Sequence, residues 1–410
     1  MMKKINLISL ILIVILSSIS NAQIGTSLTK TGTTAAQFLK IGVGSRALGM
    51  GGAVVASPND VSAVYWNPAG LALIQNREFS FNHIDWLLDV KFDHAAFGMN
   101  VSDIGTVGAF VGVMTMDEML VRTVEKPEGT GEYFGAGALT AGISYARNLT
   151  ENFAIGFNAK YIREYIWNES AQGFAIDIGT FYRIQFLNET RLGASISNFG
   201  TKMRLSGRDL LVLTNTGPGG QNIINTEHQV DEFDLPLLFR IGVAVDAIKT
   251  EQMRLTLETN AVHPNDNTEY LNSGFEYSWN ERVFLRAGYK SLFEKDSEQG
   301  FTFGLGLNYR LVDFVTLKFD YAYQDFGRLK NVHYITLGVN FWFLIVRFLN
   351  FWFCDLWIFD FEIFDCLIVF DGNLCLEFDH WNFIIENIKS KLMSIEPVIA
   401  DTNIDFNWHF

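Results

Sequence analysis

The residues of this chain best suited to chemistry are its seven histidines and three cysteines, and their spacing does not favour metal binding. His83 and His94 could meet across a short hairpin, but no carboxylate or cysteine at ligand spacing accompanies them. We therefore expect both in a loop or in the interior. The three cysteines all lie beyond residue 350 and lack the short paired spacing of a zinc site. We predict no metal and no cofactor.

Catalytic motifs are also missing from the sequence. It contains no Gly-x-Ser-x-Gly or comparable nucleophile setting. His228 and Asp231 lie close together in sequence, but two residues are too few for a catalytic proposal. The glycines between residues 42 and 52 fit neither the dinucleotide fingerprint nor the P-loop. The net charge of −14 argues against nucleic acid as a partner. We predict that the protein is not an enzyme.

The elements that position these residues have a period of two. From Phe301 to Arg310 every odd position is large and apolar or aromatic, and every even position is small or polar. Such a strand has one apolar face and one polar face. The even positions assigned to the polar face include charged residues, namely Arg240, Asp246, Arg254, Glu258, Arg286, Lys318 and Asp320.

The length of these runs favours a membrane barrel over a β-sandwich. They last about ten residues or more, which is what a tilted strand needs to cross a bilayer. In lipid the sheet must close, because an open edge leaves backbone groups without partners. The sequence predicts an all-β, antiparallel transmembrane barrel of fourteen strands over residues 77–341. The runs are 77–89, 92–102, 104–117, 133–147, 152–167, 171–187, 190–200, 235–248, 252–262, 268–279, 282–291, 299–311, 313–324 and 331–341.

The connections between these runs alternate in length. Those after the even-numbered runs are short, whereas those after runs 3, 7 and 11 are long, and residues 201–234 form the longest. Bacterial barrels have short periplasmic turns and long external loops. The start of the first strand and the end of the last strand are therefore both predicted to face the periplasm.

The residues before the barrel divide into two parts. Lys3 and Lys4, an apolar run and the small residues before Gln23 predict a signal peptide over residues 1–22. Residues 23–76 do not alternate and are rich in glycine and other small residues. Because glycine permits close backbone approach, we expect this part to pack inside the barrel.

The same part carries a family resemblance. Residues 38–53, FLKIGVGSRALGMGGA, followed by residues 65–71, YWNPAGL, resemble the N-terminus of the PorV/PorQ family, which is similar to the FadL hydrophobic-compound transporters. The resemblance spans residues 35–341 and implies a fourteen-stranded outer-membrane barrel with an N-terminal hatch in its lumen. It implies a structural or gating role for Gly49, Met50, Gly51, Gly52, Asn67, Pro68, Ala69 and Gly70.

The resemblance also implies a function. PorV-type barrels assist the type IX secretion system as partners of the translocon that receive substrates through their C-terminal signal domains. The alternative is a FadL-like transporter of hydrophobic small molecules, and a third reading is a purely structural barrel. Charged even positions such as Arg240 and Glu258 weaken the case for an apolar passage, since such a pocket should be mostly apolar.

The chain changes composition abruptly after Phe341. All glycines but Gly372 and all 13 tyrosines lie before this point. Phe341 ends the last run and resembles the terminal signal of outer-membrane proteins, a signal for the barrel-assembly machinery. Residues 342–410 are rich in tryptophan, phenylalanine and acidic residues and sustain neither a strand nor a helix period. We expect them to be an aberrant product of stop-codon loss or a frameshift, with a periplasmic docking tail as the alternative.

Overall fold

The computed structural model describes residues 30–341 except 187, 217–222, 295–296, 313 and 330. The predicted signal peptide, residues 1–22, and the predicted aberrant tail, residues 342–410, lie outside the described residues. No helix among the described residues is long and apolar enough to cross a bilayer.

The described residues form a closed antiparallel barrel of fourteen strands. Each strand pairs with its neighbours in the chain, and the barrel closes where the first strand pairs with the last, with Arg77 opposite Phe341. The prediction of fourteen strands is thereby confirmed. The strands are β1 (Arg77–Asp85), β2 (Lys91–Val101), β3 (Gly105–Thr115), β4 (Ala136–Asn148), β5 (Phe153–Ile166), β6 (Glu169–Ile184), β7 (Thr190–Gly200), β8 (Leu238–Lys249), β9 (Met253–Pro264), β10 (Tyr270–Trp279), β11 (Val283–Leu292), β12 (Phe301–Val312), β13 (Val315–Gln324) and β14 (Val332–Phe341).

The two faces of each strand differ as the period of two predicts. On β12, Phe303 and Leu305 are exposed on the outer face, whereas Gly304 points inward. On β8, Ile241 is exposed and its neighbour Arg240 is buried. The outer face therefore forms the apolar band that lipid requires, and the charged positions face the lumen.

The connections confirm the predicted alternation. Those after even-numbered strands are short, for example residues 149–152 and 250–252, whereas the connections 116–135 and 201–237 are long. We call the end with the short connections the periplasmic end and the other the external end, after the usual orientation of such barrels.

Two details of the first hairpin differ from the predictions. β1 ends at Asp85 rather than at residue 89, because Leu88 and Asp89 adopt left-handed conformations (φ 58° and 59°) in a tight turn. His94 is buried in the lumen, as predicted, whereas His83 lies on the outer face of β1 rather than in a loop or in the interior. Asn82 pairs with His94 in the register, so the side chains of His83 and His94 lie on opposite faces of the sheet.

The two long external connections contain two short strand pairs that the sequence did not predict, although residues 133–134 were assigned to the predicted run 133–147. Met119–Leu120 pairs with Tyr133–Phe134, and Leu211–Asn215 pairs with Ile223–Glu227. We call this second pair the external hairpin. Each pair forms a two-stranded sheet of its own, separate from the barrel.

Candidate functional site

The described part of the N-terminal segment, residues 30–76, runs along the lumen from one end of the barrel to the other. It contains two short α-helices, α1 (Ser45–Gly49) and α2 (Ala63–Trp66), and two 3₁₀ turns, Gln37–Lys40 and Pro68–Leu73. Residues from Phe38 to Ile74 are almost entirely buried. The segment contacts inward-facing residues of strands on all sides of the barrel.

The segment is attached to the external end through Asp266 in the β9–β10 connection. This carboxylate accepts hydrogen bonds from Thr34 Oγ1 (2.8 Å), Gln37 Nε2 (2.9 Å) and Lys40 Nζ (2.6 Å). Partial burial raises the pKa of Asp266, but the hydrogen bonds from Lys40, Gln37 and Thr34 and the charge of Lys40 outweigh burial and hold it below its usual value. Asp266 is therefore charged at neutral pH.

Glycines of the barrel wall face the first half of the segment. Gly49 lies against Gly304, where a Cβ on Gly49 would come within 2.8 Å of the Gly304 Cα. The carbonyl of Met50 lies over Gly274, where an added Cβ would be 2.2 Å from that oxygen. Gly51 has a φ of 68° and lies against the backbone of Tyr289. Side chains at these positions would prevent the two backbones from approaching each other.

The second half of the segment contacts the wall through the Asn-Pro-Ala sequence. Asn67 donates hydrogen bonds from Nδ2 to the carbonyls of Val55 (2.8 Å) and Thr180 (3.0 Å), and its Oδ1 accepts one from the Ala69 N–H (3.2 Å). Asn67 thus caps the turn Pro68–Leu73, with proline at a position that needs no N–H. Gly179 of β6 lies directly against the Asn67 side chain.

A buried ion pair attaches α1 to strand β10 of the barrel wall. Arg46 Nε donates to Glu276 Oε2 (2.9 Å), and Arg286 Nε donates to the same oxygen (2.8 Å). Arg254 reaches the other oxygen of Glu276 (3.3 Å), and Arg286 also pairs with Asp320. Three guanidinium groups therefore converge on one carboxylate, and one of them belongs to the N-terminal segment.

A second lumenal carboxylate binds the backbone of the segment. Glu258 of β9 accepts a hydrogen bond from the Ala56 N–H (2.7 Å) and another from the Ser57 hydroxyl. Charged side chains of the wall thus satisfy polar groups of the segment, as buried polar groups require.

The structure brings seven of the eight residues of the predicted motif to the contact between segment and wall. Gly49, Met50, Gly51 and Gly52 lie against β9 to β12, and Asn67, Pro68 and Ala69 lie against β5 and β6. Gly70 packs within the segment, against Pro58 and Ala63. A gating role for these residues stays a prediction.

The sequence reasoning did not identify the wall residues that face this motif. Gly156, Gly179, Gly193, Gly274 and Gly304 are inward-facing strand glycines at which an added Cβ would meet segment backbone or the Asn67 side chain. Glycine inside a strand often marks a close approach by another backbone, so glycines at inward positions of the runs could have identified these contacts from the sequence. The anchoring roles of Asp266 and Glu276 had no comparable signal.

The arrangement holds the segment in place through hydrogen bonds, ion pairs and close glycine contacts. Among the described residues, no cluster of three or more histidine, cysteine, aspartate or glutamate side chains could hold a metal ion. Glu258 and Glu276 of the wall face hydrogen-bond donors and a positive charge of the segment. The geometry therefore supports retention of the segment in the lumen.

A closed antiparallel barrel with an apolar outer band and a charged, filled lumen is an outer-membrane β-barrel protein. The family model described as "Type IX secretion system protein PorV" matches residues 25–262. The chain belongs to this family of outer-membrane proteins of the type IX secretion system.

Several solved outer-membrane proteins are similar to this chain. The CymD monoaromatic hydrocarbon channel is 14% identical over 74% of this chain and 98% of its own, with a TM-score of 0.49. The Pseudomonas putida toluene transporter TodX is 14% identical over 73% of this chain and 97% of its own, with a TM-score of 0.47. A Pseudomonas aeruginosa FadL homologue is 12% identical, covering 73% and 98%, with a TM-score of 0.42. None of the curated proteins compared with the chain matches it.

Proposed function

We propose that this barrel assists type IX secretion without catalysis, by binding translocon proteins and the C-terminal signal domains of exported proteins at its external end. The observation that carries the proposal is the external hairpin. It supports a protein-binding role because its apolar side chains are exposed outside the membrane-spanning strands.

The external hairpin exposes apolar side chains on both of its strands. Leu213 is 75% exposed and Ile223 is 62% exposed. Leu211 and Ile224 are also exposed. An isolated two-stranded hairpin is only marginally stable in water, and exposed apolar patches mark interaction sites. Burial of these residues against another protein would stabilise the hairpin and would remove its apolar side chains from water.

Neighbouring external residues extend the same surface. Gly207 of the 201–237 connection pairs with Glu169, and Asn168 donates to the Asp209 carboxylate (2.8 Å). Trp167 contacts Phe134 of the other long connection, with ring centroids 6.5 Å apart. These contacts join the base of the external hairpin to exposed aromatic residues on the next strands, which gives a partner protein a continuous area to bind.

The test is to change the hairpin without changing the barrel. We expect the double substitution Leu213→Asp and Ile223→Asp to reduce export of proteins with the cognate C-terminal signal domain, because it charges the contact surface. The matched control is Leu149→Asp, since Leu149 is also exposed but lies at the periplasmic end. Heat-modifiable migration in gels checks that each barrel is folded. Normal export by the double variant, with a folded barrel, would remove the hairpin from the mechanism.

We further propose that residues 23–76 are a hatch that keeps the lumen closed during secretion. Residues 77–341 are then the barrel itself. The glycine contacts and the ion pairs at Glu276 support this division because they join the segment to strands on several sides. The same division assigns residues 1–22 to a signal peptide and residues 342–410 to an aberrant tail. Phe341 would then be the terminal assembly signal. Codon usage across residue 341 tests the tail assignment, and continuous gene-like usage would contradict it.

A FadL-like transporter of hydrophobic small molecules is the alternative function. It would require an apolar passage, whereas the lumen contains charged pairs such as Arg286 with Asp320. Uptake of a hydrophobic compound separates the two functions. Uptake that depends on this protein, together with normal secretion in its absence, would favour the alternative.

A further inference from the structure

Arg240 of β8 is a buried cation for which the described residues provide no carboxylate partner. It is only 4% exposed. Its Nη1 donates to Ser197 Oγ (2.9 Å), and its guanidinium lies 5.6 Å from the ring centres of both Tyr65 and Trp66. None of its contacts within the described ranges is an ion pair. This differs from Arg46 and Arg286, which both pair with Glu276.

Arg240 lines a cavity between the N-terminal segment and strands β2 to β8. Its volume is about 30 Å³. Phe38, Phe92 and Phe110 supply apolar walls, and the polar lining includes Thr140. A water molecule needs roughly 10–15 Å³ of such space, so the cavity has room for a group of two or three heavy atoms.

Two polar atoms of the cavity lining have no hydrogen-bond partner among the described residues. They are His94 Nδ1 and Thr140 Oγ1, which belong to side chains that are 3% and 5% exposed. Buried polar atoms normally have partners. The hydroxyl of Thr140 can donate to an anion, and so can the imidazole when its proton is on Nδ1.

The other charges of the lining do not neutralise Arg240. Asp177 accepts from Lys160 Nζ (2.9 Å), from Asn158 Nδ2 (2.9 Å) and from the Asn198 N–H (2.7 Å), so its oxygens are already in use. Lys160 and Asp177 cancel, and one positive charge is left over.

Tyr65 does not compensate this charge. Burial raises the pKa of Tyr65 to about 12, and Asp177 also raises it, while the nearby Arg240 lowers it. The phenol is therefore neutral at physiological pH. An unpaired buried charge is costly, so this part of the lumen favours an anion.

We propose that the cavity beside Arg240 is a binding site for a carboxylate group, held by the Arg240 guanidinium and by the free polar atoms of His94 and Thr140. The planar fork of arginine matches a carboxylate in a two-point contact. Because Phe38 and Tyr65 form part of the wall, a bound carboxylate also holds the N-terminal segment against β8. The carboxylate comes either from a small free acid or from the head group of a fatty acid whose chain lies elsewhere.

The test is calorimetric titration of the full chain in non-ionic detergent with sodium formate and with sodium octanoate. Sodium sulfate keeps the ionic strength constant, since sulfate is too large and doubly charged for the site. We expect saturable binding of formate to one site per chain. Arg240→Gln should weaken it about tenfold to a hundredfold, because a hydrogen bond to a charged group contributes about that factor. Arg147→Gln is the control, since Arg147 is exposed at the periplasmic end of β4.

The two acids distinguish the sources. Formate binding without tighter octanoate binding identifies a small free acid, and tighter octanoate binding that still requires Arg240 identifies a fatty-acid head group. If Arg240→Gln does not fold, Arg240→Lys replaces it. We then expect severalfold weaker binding, because lysine keeps the charge but loses the two-point contact. Absence of saturable binding of both acids to the unmodified protein, or equal affinity in the Arg240 variants, would overturn the proposal.

Discussion

The contact between Gly156 and the N-terminal segment gives the sharpest test of the proposed hatch. Gly156 lies on β5, facing the lumen, and an added Cβ would lie 2.3 Å from the carbonyl carbon of Pro68 and 2.4 Å from the Ala69 nitrogen. These are backbone atoms, which cannot rotate away as a side chain can. Ordinary contact begins at 3.4 Å. Gly156→Ala therefore requires the turn Pro68–Leu73 to move by about 1.1 Å, because the closest backbone contact would lie at 2.3 Å.

The size of the effect follows from the cost of overpacking. An added methyl group in a well-packed interior typically costs about 1–3 kcal/mol. The segment can relieve this cost by moving out of its position in the lumen, which opens the barrel. The ratio of open to closed barrels then rises about 5-fold to 150-fold, since about 1.4 kcal/mol is a factor of ten. The barrel itself should stay folded, because the clash is with the segment and not with a neighbouring strand.

The assay is conductance of the purified protein in planar lipid bilayers. Gly338→Ala is the matched control, because Gly338 also faces inward on a strand. The two atoms nearest to an added Cβ there are side-chain carbons of Lys318, at 3.2 Å and 3.5 Å. Both changes replace a strand glycine with alanine, so the difference in strand propensity cancels. We expect frequent open events for Gly156→Ala and almost none for Gly338→Ala. Equal conductance of the two variants, with both barrels folded, would refute a seated hatch at this position.

Three further predictions concern the anchors of the segment. Asn67→Ala removes the hydrogen bond to the Thr180 carbonyl and leaves buried groups without partners, so we expect the segment to lose about 1–3 kcal/mol of anchoring and to become accessible to protease. Glu276→Gln leaves three arginines without their shared carboxylate and should destabilise the barrel by about 3–5 kcal/mol, measured as a lower unfolding temperature. Asp266→Asn should make the segment around Lys40 more accessible to protease at neutral pH. Because the pKa of Asp266 is lowered, its anchor is complete above about pH 4 and weakens as the pH falls further, so the effect of Asp266→Asn should disappear in acid.

Much of the barrel could be predicted because its rules are local. A run such as Phe301 to Arg310 shows its two faces within ten residues, and lipid on one side makes the pattern unusually clear. The inward charges Arg240 and Glu258 follow from the same alternation and are buried in the structure. Strand ends were less predictable. β1 ends early because Leu88 adopts a left-handed conformation, which no apolar pattern signals.

The contacts of the candidate site could not be predicted because they join distant residues. The match between the Asn67 side chain and Gly179 depends on how far the segment extends into the lumen, which no local pattern specifies. Likewise, nothing in the sequence distinguishes Glu276 from the other carboxylates of the barrel, and only the fold brings it to Arg46. The external hairpin was missed because its strands are short and have no core on either face to impose alternation.

The most direct test of the proposed function is photo-crosslinking in living cells from position 213. A photoreactive amino acid replaces Leu213 in the external hairpin, and the control carries it at Glu251, in a periplasmic connection. We predict adducts from position 213 that mass spectrometry identifies as translocon proteins or exported proteins with C-terminal signal domains, and none of these from position 251. The same adducts from both positions, or none of these proteins from position 213 while export continues, would contradict a secretion partner bound at the external end.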